Sequence, residues 1–126
     1  MLRHVGLEVI DKEKAMTFFL EVLGLKKTKS FLLNLSLTKD IFNLEEEVEV
    51  EVFTGEGIEL EVFITDRRLD KGYLHLCLEV ENKESFIDRS KKHGLKPKII
   101  KKGEKELLFI RDFSGNLYEI KEKSKL

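Results

Sequence analysis

One phrase is spelled twice in this chain. HVGLEVIDKEKAMTFFLEVLGLK begins at residue 4, and HLCLEVENKESFIDRSKKHGLK begins at residue 75. His4 aligns with His75, Leu7 with Leu78, Glu8 with Glu79 and Val9 with Val80. Lys12-Glu13 then matches Lys83-Glu84, and Gly24-Leu25 matches Gly94-Leu95 after one deletion. Such self-similarity predicts two copies of one supersecondary unit. Asp11 and Asn82 occupy equivalent places and suit the N-cap of a following helix. Ala15, Phe18, Phe19, Val22 and Leu23 form the apolar stripe of the first helix, and Phe86 and Ile87 a thinner one in the second. Gly24 and Gly94 fall where left-handed C-terminal caps belong.

After each helix the apolar period shifts to two. In VEVEVFTGEGIELEVFI, Val48, Val50 and Val52 alternate with Glu49, Glu51 and Phe53; after the FTGEG turn, Ile58, Leu60, Val62 and Ile64 alternate with Glu59, Glu61 and Phe63. That pattern predicts a β-hairpin. DFSGN predicts a turn between strands at 107–111 and 117–120. FLLNL reads as a strand and SLTKDIFNL as a short helix capped by Ser36, while RRLDKG at 67–72 joins the copies. Each copy is thus β-α followed by two or three strands.

Side chains on a strand alternate faces. The leading strands therefore oppose Val5, Leu7 and Val9 to His4, Gly6 and Glu8, and Leu76, Leu78 and Val80 to His75, Cys77 and Glu79. Glu59, Glu61 and Glu119 likewise lie opposite aliphatic neighbours. FTGEGIEL and FSGNLYEI share the frame F-[ST]-G-x-x-x-E-[IL], which pairs Glu59 with Glu119 as the leading strands pair His4 with His75. A pseudo-twofold would bring together two imidazoles and two carboxylates, a donor set suited to Zn, Ni, Co, Mn or Fe(II). Glu8, Glu79, Glu49 and Glu51 read as exposed or cleft-rim acids, Cys77 as a small packing residue, and His93 as a cation at a helix C-terminus.

Composition bounds the alternatives. Lys and Arg number 23 against 24 Asp and Glu, a formal net charge of -1, so neither a nucleic-acid nor a membrane-surface binder is expected. The KK pairs at 26–27, 91–92 and 101–102 are interleaved with acids. A single cysteine forms no internal disulfide and predicts a cytoplasmic protein. MLRHVGLEV lacks the apolar core of a signal peptide, and no apolar run approaches membrane-spanning length.

The repeated phrase, HLCLEV and RDFSGNLYEI together resemble the glyoxalase/bleomycin-resistance/dioxygenase group, the vicinal oxygen chelate superfamily. RDFSGNLYEI is similar to its D-P-D-G-N-x-x-E-[LI] ending. The resemblance implies an α+β fold: two tandem βαβββ modules forming a cupped mixed sheet with helices on the outside. It spans one domain over 1–126, with modules at about 1–66 and 70–124. The implied metal ligands are His4, an acid in IELEVF, His75 and Glu119. The internal repeat selects Glu59 as that acid, and Glu61 projects from the same face.

Three activities follow from the resemblance. The first is a divalent-metal-dependent lyase or isomerase, similar to glyoxalase I or an acyl-CoA epimerase, with Glu119 or Glu59 as general base. The second keeps only His4, His75 and Glu119 as the triad of an Fe(II) dioxygenase, leaving His93, Tyr73 and Tyr118 as supporting groups. The third is a metal-free, antibiotic-sequestering binder whose pocket is lined by Phe53, Phe63, Phe109 and Phe113. All imply a small-molecule substrate or ligand, and a homodimer is expected.

Overall fold

In the computed structural model, which describes residues 1–67 and 72–124, both repeats fold as the alternation predicts. The first runs β1 (Val5–Val9), α1 (Lys12–Met16, continuing as a π-helical turn over Thr17–Val22), β2 (Lys26–Leu33), α2 (Leu35–Phe42), β3 (Val48–Gly55) and β4 (Ile58–Ile64). The second runs β5 (His75–Val80), α3 (Lys83–Lys92), β6 (Lys98–Lys102), β7 (Lys105–Arg111) and β8 (Leu117–Glu122). Of the connector read at 67–72, residues 68–71 lie outside the described residues. Each module forms a four-stranded mixed sheet, ordered β1-β4-β3-β2 and β5-β8-β7-β6. The repeat-leading strands β1 and β5 are edges in both, paired in parallel with β4 and β8.

The caps act where the repeat put them. Asp11 accepts from the Lys14 amide at 3.1 Å and Asn82 from the Ser85 amide at 2.8 Å. Gly24 and Gly94 leave the helices at φ 73 and 83, a conformation that penalises any side chain. The expectation that Ser36 caps α2 is corrected. Ser36 already lies inside its first turn, and Asn34 accepts from the Leu37 amide at 2.9 Å. β6 carries KIIKK, an exposed lysine-rich segment whose strand comes from pairing with β7 rather than from local alternation.

One core serves both modules. α1 lies between the two sheets, with Phe19 stacked 5.0 Å from Phe53 of the first and Phe18 5.1 Å from Tyr118 of the second. Leu60, Val62, Phe86, Leu108, Ile110 and Ile120 complete that core. Burying each such side chain stabilises the fold by about 1.5–3 kcal/mol. The DFSGN turn fastens the modules further. Ser114 accepts from the Ile10 amide at 2.9 Å, and the Asn116 side chain donates to the Glu8 carbonyl at 2.9 Å. Asp112 organises the turn, accepting from the Ser114 and Asn116 amides, the Asn116 side chain and the Tyr118 hydroxyl, each at 2.9 Å.

The reading of Glu51 as an exposed or cleft-rim acid is corrected, whereas Glu49 keeps a side chain 40% exposed. Phe53 is drawn into the core by Phe19, and the register with β4 sets Glu51 beside Val62 and Glu49 beside Ile64. Glu49 and Glu51 therefore share the helix-covered face, and Val48, Val50 and Val52 turn to the other side. Glu51 is fully buried, with the Lys12 and Lys27 ammonium groups each 3.5 Å from its carboxylate and no hydrogen bond to either oxygen. Lys12 also pairs with Glu49; that hydrogen bond holds the lysine above its usual range and the carboxyl below it.

Two outcomes are expected from this packing. A buried carboxylate facing half-exposed lysines gains little over an apolar group of its size. Glu51→Leu is therefore expected to leave the unfolding free energy unchanged or raise it by about 1 kcal/mol in urea titrations; a loss above about 2 kcal/mol would show the ion cluster to be needed. Burial, then the adjacent Asp112, push the Tyr118 hydroxyl well above its ordinary 10.0. The folded state keeps a proton that the unfolded chain releases, so this stabilisation is complete below about pH 10 and declines as pH rises beyond it. Tyr118→Phe is expected to flatten the alkaline fall in unfolding free energy by up to about 1.4 kcal/mol per pH unit.

Candidate metal centre

Because the helix faces of the two sheets share one core, the opposite faces look away from it. Those outer faces carry every residue singled out as a ligand. On the first sheet Gly6 lies beside Glu61 and Glu8 beside Phe63. His4 stands just ahead of β1, and its Nε2 lies 3.4 Å from Glu61 Oε1. Glu59 is on the same face one pleat earlier, level with Thr54 of β3. The acid touching His4 is thus Glu61, although the repeat pointed to Glu59.

On the second sheet His75, Cys77 and Glu119 share the outer face, with Glu119 flanked by Cys77 on β5 and Phe109 on β7. The His75 ring meets Phe109 edge to face at 6.5 Å. Its Nδ1 is 2.9 Å from the Tyr73 carbonyl. A carbonyl only accepts, so Nδ1 carries the proton and the Nε2 lone pair is left for a metal. Partial burial and then Glu119 raise the Cys77 thiol, which keeps it protonated and a poor ligand.

Each module therefore presents one imidazole and at least one carboxylate. Among the described residues no three His, Cys, Asp or Glu side chains come close enough within one chain to hold an ion. The donors fit a divalent metal in kind, and one chain supplies them as two separate halves.

The groups available to the other readings lie elsewhere. Tyr118 is buried on the helix side, and His93 sits 3.4 Å from Glu21 at the end of α3. Tyr73 is 99% exposed and touches the site only through its carbonyl. Of the four phenylalanines read as a pocket lining, Phe53 is in the core on the opposite face; Phe63, Phe109 and Phe113 remain outside it.

Sequence patterning passed over a second feature of the first module. α2 folds across its outer face, setting Phe42 edge-on to Phe63 at 5.5 Å. Beneath it is a cavity of ≈ 170 Å³ that touches Gly6, Glu8, Phe42, Leu44, Phe63 and Arg67. Glu8, read as a rim acid, forms an ion pair with Arg67 there and accepts from the Thr65 hydroxyl at 3.1 Å. The hydrogen bond to Glu8 raises the arginine above its usual range. The one available signal was TDRR directly after a predicted strand.

A family model described as Glyoxalase/Bleomycin resistance protein/Dioxygenase superfamily matches residues 3–110. The chain belongs to this superfamily. Solved structures share the superfamily fold over nearly all of its length. FosX, a genomically encoded fosfomycin resistance protein from Listeria monocytogenes, is 16% identical with a TM-score of 0.75, covering 98% of this chain and 93% of that one. A glyoxalase family protein from Bacillus cereus is 23% identical with a TM-score of 0.75, covering 98% and 94%. A mutant of the Listeria FosX, complexed with Mn(II) and 1S,2S-dihydroxypropylphosphonic acid, is 21% identical with a TM-score of 0.75, covering 98% and 92%. No curated protein matches the chain. No described helix is long and apolar enough to cross a membrane.

The Tyr73 contact makes the His75 tautomer measurable. Nitrogen-15 spectra of the neutral ring are expected to show His75 protonated at Nδ1, whereas the common free-imidazole preference for Nε2 protonation would mean the carbonyl does not hold the ring.

Proposed function

We propose that this superfamily member is a divalent-metal-dependent lyase or isomerase that removes a proton next to a metal-chelated carbonyl. Each metal site is shared between two copies of the chain. The observation carrying this reading is the division of donors: His4 with Glu61 on one outer face, and His75 with Glu119 on another, around one common core. An antiparallel dimer would set the first module of one chain beside the second module of its partner, joining the edges β1 and β5. Two identical four-donor sites result, as a twofold axis requires.

Charge favours that pairing. Residues 1–66 carry 7 of the 23 Lys and Arg and 14 of the 24 Asp and Glu, a net -7; residues 67–126 carry the remaining 16 and 10, a net +6. Opposite modules attract and like modules repel, which selects the head-to-tail orientation. The Listeria FosX bound to Mn(II) and a vicinal diol supports a divalent ion in this fold.

When bound, the metal would act as a Lewis acid, polarising two adjacent substrate oxygens and stabilising negative charge on them. The protein's share is positioning and proton transfer. Tyr73 fixes His75 with Nε2 outward, and Glu61 beside His4 completes the first module's donor pair. Glu59 on the first outer face, or Glu119 once displaced from the metal, would take the proton from the carbon next to the carbonyl.

Complementation tests the shared site. His4→Ala and His75→Ala are each expected to lose stoichiometric Mn(II) or Zn(II). Mixed and refolded together, they are expected to recover about a quarter of the wild-type metal, because a hybrid dimer keeps one intact site of two. Recovery of none would place all donors within one chain; full metal in either single variant would remove that histidine from the ligand set.

A further inference from the structure

We infer that the cavity beneath α2 is a substrate-tail pocket entered across Gly6, and that it takes a compact, uncharged apolar group of about benzene size. The inference rests on the metal-centre reading for what holds the other end of the ligand.

Gly6 is the first observation. It lies in the middle of β1 without a left-handed backbone, since its φ is not among the positive values of the chain. A strand interior gains nothing from glycine, which weakens the strand and leaves nothing to pack. An added Cβ would stand 3.4 Å from Phe63 Cε1, within contact distance of the cavity wall. The missing side chain therefore holds open the space between two features. On one side is Glu61, the register partner of Gly6 and the contact of His4. On the other are Glu8 and Phe63, one pleat or about 7 Å further along the strands. A ligand chelated by oxygen at the His4 and Glu61 end would run its remaining atoms over Gly6 and under Phe42.

Size and charge fix the ligand class. An apolar cavity of about 150 Å³ holds benzene, so ≈ 170 Å³ admits a phenyl or a short branched alkyl group. Val48, Phe63, Phe42 and Leu44 supply apolar walls. The far wall is the Glu8–Arg67 ion pair, whose charges cancel, and Glu46 adds one negative charge. A carboxylate or phosphate tail meets a net negative lining, and an uncharged tail does not.

Benzohydroxamate and acetohydroxamate test this, since both offer two adjacent oxygens and differ in phenyl against methyl. Binding to the full chain is measured by calorimetry with and without Mn(II), and the contacted residues are read from amide NMR shifts. Benzohydroxamate is expected to bind at least about tenfold tighter than acetohydroxamate, shifting the amides of Gly6, Val48 and Phe63. Gly6→Val is expected to abolish the preference and those shifts while leaving Mn(II) uptake and acetohydroxamate binding unchanged. Phe42→Ala, at a half-exposed position that does not threaten folding, is expected to reduce the preference severalfold. Equal affinity for both probes in the wild type, or a preference that survives both substitutions, overturns the pocket. If the phenyl preference and its shifts persist in a wild type that takes up no Mn(II), the pocket stands and the metal reading fails. If Mn(II) tightens both probes and the two then bind with equal affinity, the metal reading stands and the pocket fails.

Discussion

The placement of α1 between the two sheets governs the rest of the molecule. Phe18 meets Tyr118 of the second sheet and Phe19 meets Phe53 of the first, so one helix supplies apolar surface to both modules. A sheet has two faces, and committing the inner face of each to this core leaves only the outer faces for chemistry. His4, Glu61, His75 and Glu119 are polar because they sit there. The same commitment separates His4 and Glu61 from His75 and Glu119 within a chain. Hydrogen bonds from the Asn116 side chain to the Glu8 carbonyl and from the Ile10 amide to Ser114 then hold the modules at one fixed spacing.

The two copies have not stayed equivalent. α2 lies only on the first module, where it roofs the valine and phenylalanine side chains of β3 and β4 and encloses a pocket. The second module leaves His75 and Cys77 exposed on an open face. Division of labour follows from that asymmetry: one half offers enclosure, and the other an accessible imidazole with its tautomer set by a backbone carbonyl. The opposite net charges of the halves are a further divergence, and they turn two similar modules into complementary ones.

Much of the scaffold was legible because it is local. Asp11, Asn82, Gly24 and Gly94 cap their helices through contacts within a few residues, which sequence spacing records directly. Strands β1, β4, β5 and β8 showed their faces because each is one-sided, aliphatic toward the core and titratable away from it. β3 misled because both its faces are buried. Valine on one side and glutamate with phenylalanine on the other look like an ordinary amphipathic strand. Only Phe19, thirty-odd residues away, decides that Phe53 and hence Glu51 point inward. Ser36 was a reasonable cap by residue type, and Asn34 took the role because the chain turned two residues sooner.

By itself the sequence determined the duplication, the order of elements and where the residues proposed as metal donors sit: two histidines and two or more acids at matching positions on strands whose other face is aliphatic. Periodicity carries that information, since it follows from bond geometry along the chain. The tertiary structure decided which acid meets His4, that the donor pairs face apart, that Glu51 is buried, and that α2 makes a small pocket with Glu8 and Arg67 at its end. Those depend on contacts between residues far apart in sequence, and on which of two plausible faces wins the single core.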